Sequence, residues 1–166
     1  IKIVMIELAQ RALKEKLNVD VDMFTLEKKG VKKILEAHNT TLEELGVKGS
    51  TLFYRRNAED MPLKPTKTNS TEDVNRARRV SKKLLENYRD KFLFKFEPLS
   101  VPKEVIIDNG VLKGMVFQKV RSEHGKLINL PGETITYKSD LIISSIGSLP
   151  EETPSLPSKG HLLKTF

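Results

Sequence analysis

The stretch Ser50-Thr-Leu-Phe-Tyr-Arg-Arg-Asn-Ala-Glu-Asp-Met-Pro62 decides how this chain is read. A short apolar run, read as a strand over Ser50–Tyr54, stops abruptly at two adjacent arginines, Arg55 and Arg56. A buried parallel strand has this look where it delivers cations to the carboxyl edge of a sheet, the edge at which open α/β folds bind ligands. Paired guanidinium groups there suit a phosphate, because each offers a planar fork of donors and a charge that never titrates. An exposed charged turn after a strand is the competing reading, and the apolar run in front of the arginines favours the ligand.

Upstream, Ile1 to Leu17 carries Leu8, Ala12 and Leu13 at helical spacing. No turn signal separates Ile6 from Leu8, so one continuous helix is expected rather than an initial strand. Residues 18–49 read as a helical insertion. Val31, Ile34 and Leu35 form a short apolar stripe, and Thr25 with Lys28 is not a capping box. Asn39-Thr-Thr-Leu-Glu-Glu44 reads as a helix start capped by Thr40 or Thr41, closed by Gly46 and Gly49.

Downstream, Met61–Thr71 is a proline-bearing loop. Glu72–Lys91 is the clearest helix, with Val74, Ala77, Val80, Leu84 and Tyr88 at three- and four-residue steps and Ser70 or Thr71 as cap. The period then switches to two at Phe92, Phe94 and Phe96. Val105-Ile-Ile107 meets a hairpin turn at Asp108-Asn-Gly110, and Val111–Val120 returns as a strand. His124-Gly125 and Pro131-Gly132 are expected to be turns and Thr134–Tyr137 a short strand. Leu141-Ile-Ile-Ser-Ser-Ile-Gly147 reads as a buried parallel strand ending at a glycine. The prolines and glycine of 148–166 read as loop.

The order predicts an α/β fold: a partial Rossmann-like nucleotide-binding sheet with a helical insertion and an antiparallel hairpin excursion. The 166 residues suffice for one domain with a core, and 38% hydrophobic against 31% charged residues argues against wholesale disorder. No apolar run approaches the roughly 20 residues of a membrane-spanning helix, and no secretory signal is seen. The absence of cysteine removes disulfides, thiolate zinc sites and Cys-ligated clusters from this segment. It is compatible with a reducing compartment, and a cytoplasmic location is expected. The three histidines are scattered without metal-like spacing, so no metal site is expected. A net charge of +7 favours anionic partners without choosing among them. The chain begins at Ile1 rather than at methionine, and we read it as a fragment or processed product.

Arg76, Arg78, Arg79, Lys82 and Lys83 form a basic cluster on the long helix. A solvated helix face is the preferred reading over nucleic-acid binding, because no aromatic residue is interleaved to stack on bases. No residue offers itself as catalytic.

Tyr54-Arg-Arg followed by Glu59-Asp-Met-Pro62 resembles the "YRR…EMP" segment in the NADPH-binding domain of FAD-dependent oxidoreductases of the glutamate synthase small-subunit group. Dihydropyrimidine dehydrogenase and the adrenodoxin (ferredoxin–NADP) reductases belong to the same broad group. Asn109-Gly-Val-Leu-Lys-Gly-Met-Val-Phe117 is similar to their hairpin, and Asp140-Leu-Ile-Ile-Ser-Ser-Ile-Gly147 to the strand that returns toward the flavin. The resemblance spans roughly residues 1–15 and 47–160. It implies that residues 1–147 are most of an NADP(H)-binding domain, that 148–166 returns toward a flavin domain absent from this chain, and that NADPH passes hydride to FAD bound mainly by residues elsewhere. Arg55 and Arg56 would grip the NADP 2′-phosphate, as an arginine after the second strand does in such folds. Ile146 and Gly147 would lie near the flavin. The implied partners are the rest of the flavoprotein and an acidic electron-transfer protein or another subunit, with nucleic acid disfavoured. The group's glycine-rich fingerprint is nowhere in the chain, and the 18–49 insertion sets the arginines farther from it than usual. The alternative is a basic α/β module without redox activity that docks nucleic acid or an acidic protein through Arg76–Lys83.

Overall fold

The computed structural model describes residues 1–66, 68 and 70–145, with the backbone of 158–159 and 162–163. Helix α1 (Lys2–Leu17) is continuous and ends at Asn18 in the left-handed conformation. It buries Met5, Ile6, Ala9, Ala12 and Leu13. Helix α2 (Met23–Lys29) starts at Asp22, whose carboxylate accepts from the Thr25 amide at 2.9 Å and the Thr25 hydroxyl at 2.6 Å. These bonds hold the Asp22 carboxyl below its usual range. α2 runs back along α1: Lys2 pairs with Glu27, and the Gln10 amide donates to the Val21 carbonyl at 2.8 Å. Helix α3 (Val31–Ala37) buries Val31, Ile34 and Leu35, the expected stripe.

The helix expected from Asn39 is instead a single turn. Thr41 and Glu44 form a reciprocal capping box, with the Thr41 amide donating to Glu44 at 2.8 Å and the Glu44 amide to Thr41 Oγ1 at 3.2 Å. The Val47 amide already closes on the Leu42 carbonyl at 2.8 Å, and Gly46 takes a positive φ. The start signals were present, but the stop signal follows within one turn.

Strand β1 (Thr51–Phe53) pairs in parallel with β2 (Lys95–Glu97), and helix α4 (Thr71–Phe92) is the crossover between them. Ser70 caps α4 through the Asp73 amide. The buried residues of α4 are Ala77, Ser81, Leu85 and Phe92; of the apolar residues that mark the helix Ala77 is among them, while Val74, Val80 and Leu84 are half-buried beside that row and Tyr88 is exposed. Leu93 in the left-handed conformation stops the helix, and Phe92, Phe94 and Phe96 enter one core with α1, α2, α3 and Leu45.

A separate antiparallel sheet has the order β3-β4-β5, from Ser100–Asp108, Val111–Glu123 and Lys126–Lys138. Asn109 and Gly110, at φ 50 and 76, make the expected hairpin turn, whose two positive φ values match the twist of the strands. His124-Gly125 turns the chain into β5. Pro131-Gly132 is not a turn. It lies in a bulge within the thirteen-residue β5, where Gln118 faces Thr134 and Val120 faces Asn129. The Gln118 amide fills that bulge, donating to the carbonyls of Leu130 at 2.6 Å and Glu133 at 2.8 Å. The expected short strand Thr134–Tyr137 is therefore the second half of a long one.

The buried strand expected at Leu141–Gly147 is not found over its described part. Residues 141–145 carry no strand pairing and are exposed, Leu141 by 65% and Ile143 by 60%. No described strand pairs with them, and an apolar run alone does not provide a partner. Ile146 and Gly147 lie outside the described residues. In the tail, read as loop, Ser158–Lys159 and Leu162–Leu163 form a short antiparallel pair, β6 and β7. The architecture is thus α/β, with a parallel pair crossed over by α4, a helical segment packed on it, and an antiparallel three-stranded sheet.

Candidate functional site

The site is built where β1 ends. Phe53 is held by aromatic contacts from the antiparallel sheet: its ring stacks on Phe117 with centroids 3.6 Å apart, and Tyr137 meets it edge-on at 5.3 Å. The Thr51 hydroxyl donates to Tyr137 Oη at 2.9 Å. Past Phe53 the backbone stays pinned. The Tyr54 amide donates to Glu97 at 2.9 Å, the Ser100 amide to the Tyr54 carbonyl at 3.1 Å, and the Leu99 amide to the Arg56 carbonyl at 3.3 Å. Arg55 and Arg56 therefore sit on a bend fixed to the segment that follows β2, at the carboxyl end of the parallel pair.

The bend closes on itself. The Tyr54 hydroxyl donates to the Asp60 carbonyl at 3.1 Å, across the short 3-10 turn Ala58–Asp60. Burial pushes the Tyr54 phenol above its ordinary value, with Asp60 adding to the shift and Arg56 and Arg55 opposing it. The Asp60 carboxylate, only 13% exposed, receives Arg78 of α4 at 2.6 Å. Farther along, the Lys64 amide donates to the buried Ser81 hydroxyl at 3.2 Å. Segment 56–66 and α4 thus border a shallow, open groove of about 200 Å³, lined in part by Arg56, Glu59, Asp60, Lys64, Arg78 and Ser81.

Of the residues marked by the sequence, Arg55 and Arg56 both lie at the strand end, but they part there: Arg55 is exposed, while Arg56 is half-buried and lines the groove. Neither is in an ion pair among the described residues. The basic cluster of α4 also divides. Arg78 reaches Asp60, and Arg76, Arg79, Lys82 and Lys83 remain exposed on the outer face. Lys64 and Ser81 were not anticipated; a small polar residue in the apolar row of α4 was the available signal for Ser81. Among the described residues no group of His, Asp or Glu is arranged to hold a metal ion, and no helix is long and apolar enough to cross a membrane.

A fixed strand end carrying uncompensated guanidinium groups can bind an anion. No protein-family model and no curated protein matches the chain. Among solved structures, it is similar to FprA from Mycobacterium tuberculosis in complex with NADPH, at 18% identity and a TM-score of 0.48. It is similar also to FprA, a Mycobacterium tuberculosis oxidoreductase, at atomic resolution with a covalent modification of NADP+, at 20% identity and a TM-score of 0.47. Each similarity covers 71% of this chain and 34% of the other, so the chain spans about a third of the length of those structures.

Proposed function

We propose that this chain is the NADP(H)-binding portion of a flavin-dependent oxidoreductase, with Arg55 and Arg56 contributing to recognition of the 2′-phosphate. The observation that carries the reading is the placement of two arginines without carboxylate partners among the described residues on a bend immediately after a parallel strand. Fixed cations in that position suit a phosphate more than a neutral ligand. The pyrophosphate would need a glycine-rich strand-to-helix turn, which this chain does not contain, so its own residues fit the adenosine-phosphate end of the cofactor only. The nicotinamide and the flavin supply the hydride chemistry when bound. The task of this chain's residues is to bind and orient.

On this reading residues 1–147 belong to the nucleotide-binding domain, with 18–49 as a helical insertion, and 148–166 leads toward the flavin domain. Ile146 and Gly147 would lie near the flavin. The whole protein would be a cytoplasmic enzyme, and its partners the rest of the flavoprotein and an acidic electron-transfer protein or further subunit. The subgroup that combines glutamate synthase small-subunit-like and adrenodoxin reductase-like enzymes is the one its motifs resemble. The test is a fluorescence titration of the protein with NADPH and with NADH. Tighter binding of NADPH, lost when both arginines are replaced by alanine, is the expected result. Equal affinity for the two nucleotides in the unaltered protein would sink the reading.

A second reading has one observation in its favour. Arg76, Arg79, Lys82 and Lys83 are exposed and unpaired among the described residues, so α4 presents a basic face to nucleic acid or to an acidic protein. That reading predicts steeply salt-dependent binding and indifference to NADPH.

A further inference from the structure

Two residues alone, Pro98 and Leu99, join the end of β2 to the start of β3. Leu99 takes φ 53 there. The left-handed region is unfavourable for a side chain with a Cβ, and glycine or asparagine is its usual occupant. The other leucine in that region, Leu93, closes α4, and His124 sits in a hairpin turn; Leu99 does neither. A strained residue persists only where its surroundings over-determine it. Here the backbone is held from both sides. The Leu99 amide donates to the Arg56 carbonyl at 3.3 Å, and the Val120 amide of β4 donates to the Leu99 carbonyl at 2.9 Å. The next amide, Ser100, donates to the Tyr54 carbonyl at 3.1 Å.

One side chain braces this link. Lys119 of β4 lies opposite Ser100 in the register of β3 and β4. Its ammonium donates to the Pro98 carbonyl at 2.9 Å and to the Ser100 hydroxyl at 3.2 Å. The Ser100 hydroxyl donates in turn to the same Pro98 carbonyl at 3.0 Å. Ser100 is 1% exposed and Lys119 is half-buried, so the three groups form a closed knot around the residue before Leu99. The Glu97 carboxylate stands 4.0 Å from the ammonium, a loose ion pair beside the two hydrogen bonds.

We propose that Lys119 is a positioning residue: by fixing Pro98 and Ser100 it keeps Leu99 left-handed, and the Leu99 amide then holds the Arg56 carbonyl and the bend that carries Arg55 and Arg56. Without the ammonium, the Pro98 carbonyl loses its charged donor and Leu99 relaxes toward negative φ. That rotation turns its amide away from Arg56. The side chain sets the arginines without touching a ligand, and it does so from the antiparallel sheet. Its effect on nucleotide preference rests on the function proposed above; its effect on the Leu99 backbone does not.

The experiment pairs two readouts on the 166-residue chain: fluorescence titration with NADPH and with NADH, and amide hydrogen exchange at residues 99 and 100. Thermal melting is the folding control. Lys119→Met should weaken NADPH about tenfold, the upper scale of one lost hydrogen bond, and leave NADH nearly unchanged. Exchange at Leu99 and Ser100 should quicken in the same variant. Lys126→Met removes an exposed lysine outside this network and should leave both readouts as they are. Adding Leu99→Gly to Lys119→Met should restore NADPH binding, because glycine adopts the left-handed region without a brace. If Lys119→Met does not fold, Lys119→Gln keeps a polar side chain at the half-buried position and takes its place with the same expectations.

The proposal is overturned, with the nucleotide reading intact, if the unaltered protein prefers NADPH and Lys119→Met keeps that preference. It is overturned equally if Leu99→Gly restores nothing, since Lys119 would then act through its charge. If the unaltered protein binds both nucleotides alike, the nucleotide reading falls, and exchange decides the rest. Faster exchange at Leu99 in Lys119→Met supports the brace, and unchanged exchange overturns it.

Discussion

The ring of Phe117 lies flat on the ring of Phe53, with centroids 3.6 Å apart and planes 6° from parallel. This contact joins the antiparallel sheet to the parallel pair two residues before Arg55. Phe117 is buried, so truncation leaves a cavity as well as lost transfer energy. Phe117→Ala should destabilise the fold by ~3–5 kcal/mol, read by urea denaturation. Phe117→Leu should cost less, and in it ligand affinity at the strand end should fall more than stability does. Loss of stability with full affinity in the remaining folded protein would separate the aromatic contact from the site.

Replacing Arg55 and Arg56 together by alanine should raise the NADPH dissociation constant sharply and leave NADH almost unchanged. The scale is ~1.5–3 kcal/mol for each charged hydrogen bond lost. Parallel fluorescence titrations with the two nucleotides provide the comparison. An equal loss for both would mean that the arginines act on the fold and not on the 2′-phosphate.

Gly114 tests the meander. It takes φ 156, and a Cβ there would run into the Tyr137 carbonyl, a backbone atom that cannot swing away. Gly114→Ala should therefore cost ~1–3 kcal/mol by overpacking. Because Tyr137 also braces Phe53 and Thr51, the same change should blur the strand end, visible as altered amide chemical shifts at Tyr54–Arg56.

The cap of α2 gives a pH signature. The folded-state pKa of Asp22 is depressed, first by the Thr25 hydroxyl and then by the Thr25 amide. Its contribution is present above the unfolded carboxylate pKa and is lost as pH falls through the folded one. Melting temperature against pH should accordingly drop on the acid side. Asp22→Asn keeps an acceptor for the amide without the charge and should flatten that limb; an unchanged acid limb in this variant would assign it to other carboxylates.

The elements with strong local signals were legible. The steps along α4, the switch of period at Phe92, and Asp108-Asn-Gly110 each carry their geometry in a few residues. Pro131-Gly132 misled because a bulge uses the same residues as a turn. What keeps it inside β5 is the side chain of Gln118 on the neighbouring strand, which no reading of local residues contains. Asn39–Glu44 misled because a capping box fixes a start and says nothing of length. Leu141–Gly147 was read from hydrophobicity, and a strand also needs a neighbour. At the site, the arginines were visible as a motif, while Lys64 and Ser81 meet only across the packing of a loop on a helix.

The two sheets also differ in how far apart in the chain their partners lie. β3, β4 and β5 are joined by two tight turns, so each pairing closes a short loop and can form on the microsecond scale of hairpins. β1 meets β2 only after the whole of α4 has been traversed, a distant closure with little reward until the helix is in place. The meander should thus be an early and α4-independent unit of folding. The bend that carries Arg55 and Arg56 should be among the last parts to acquire its native shape, and the first to lose it when the helix frays.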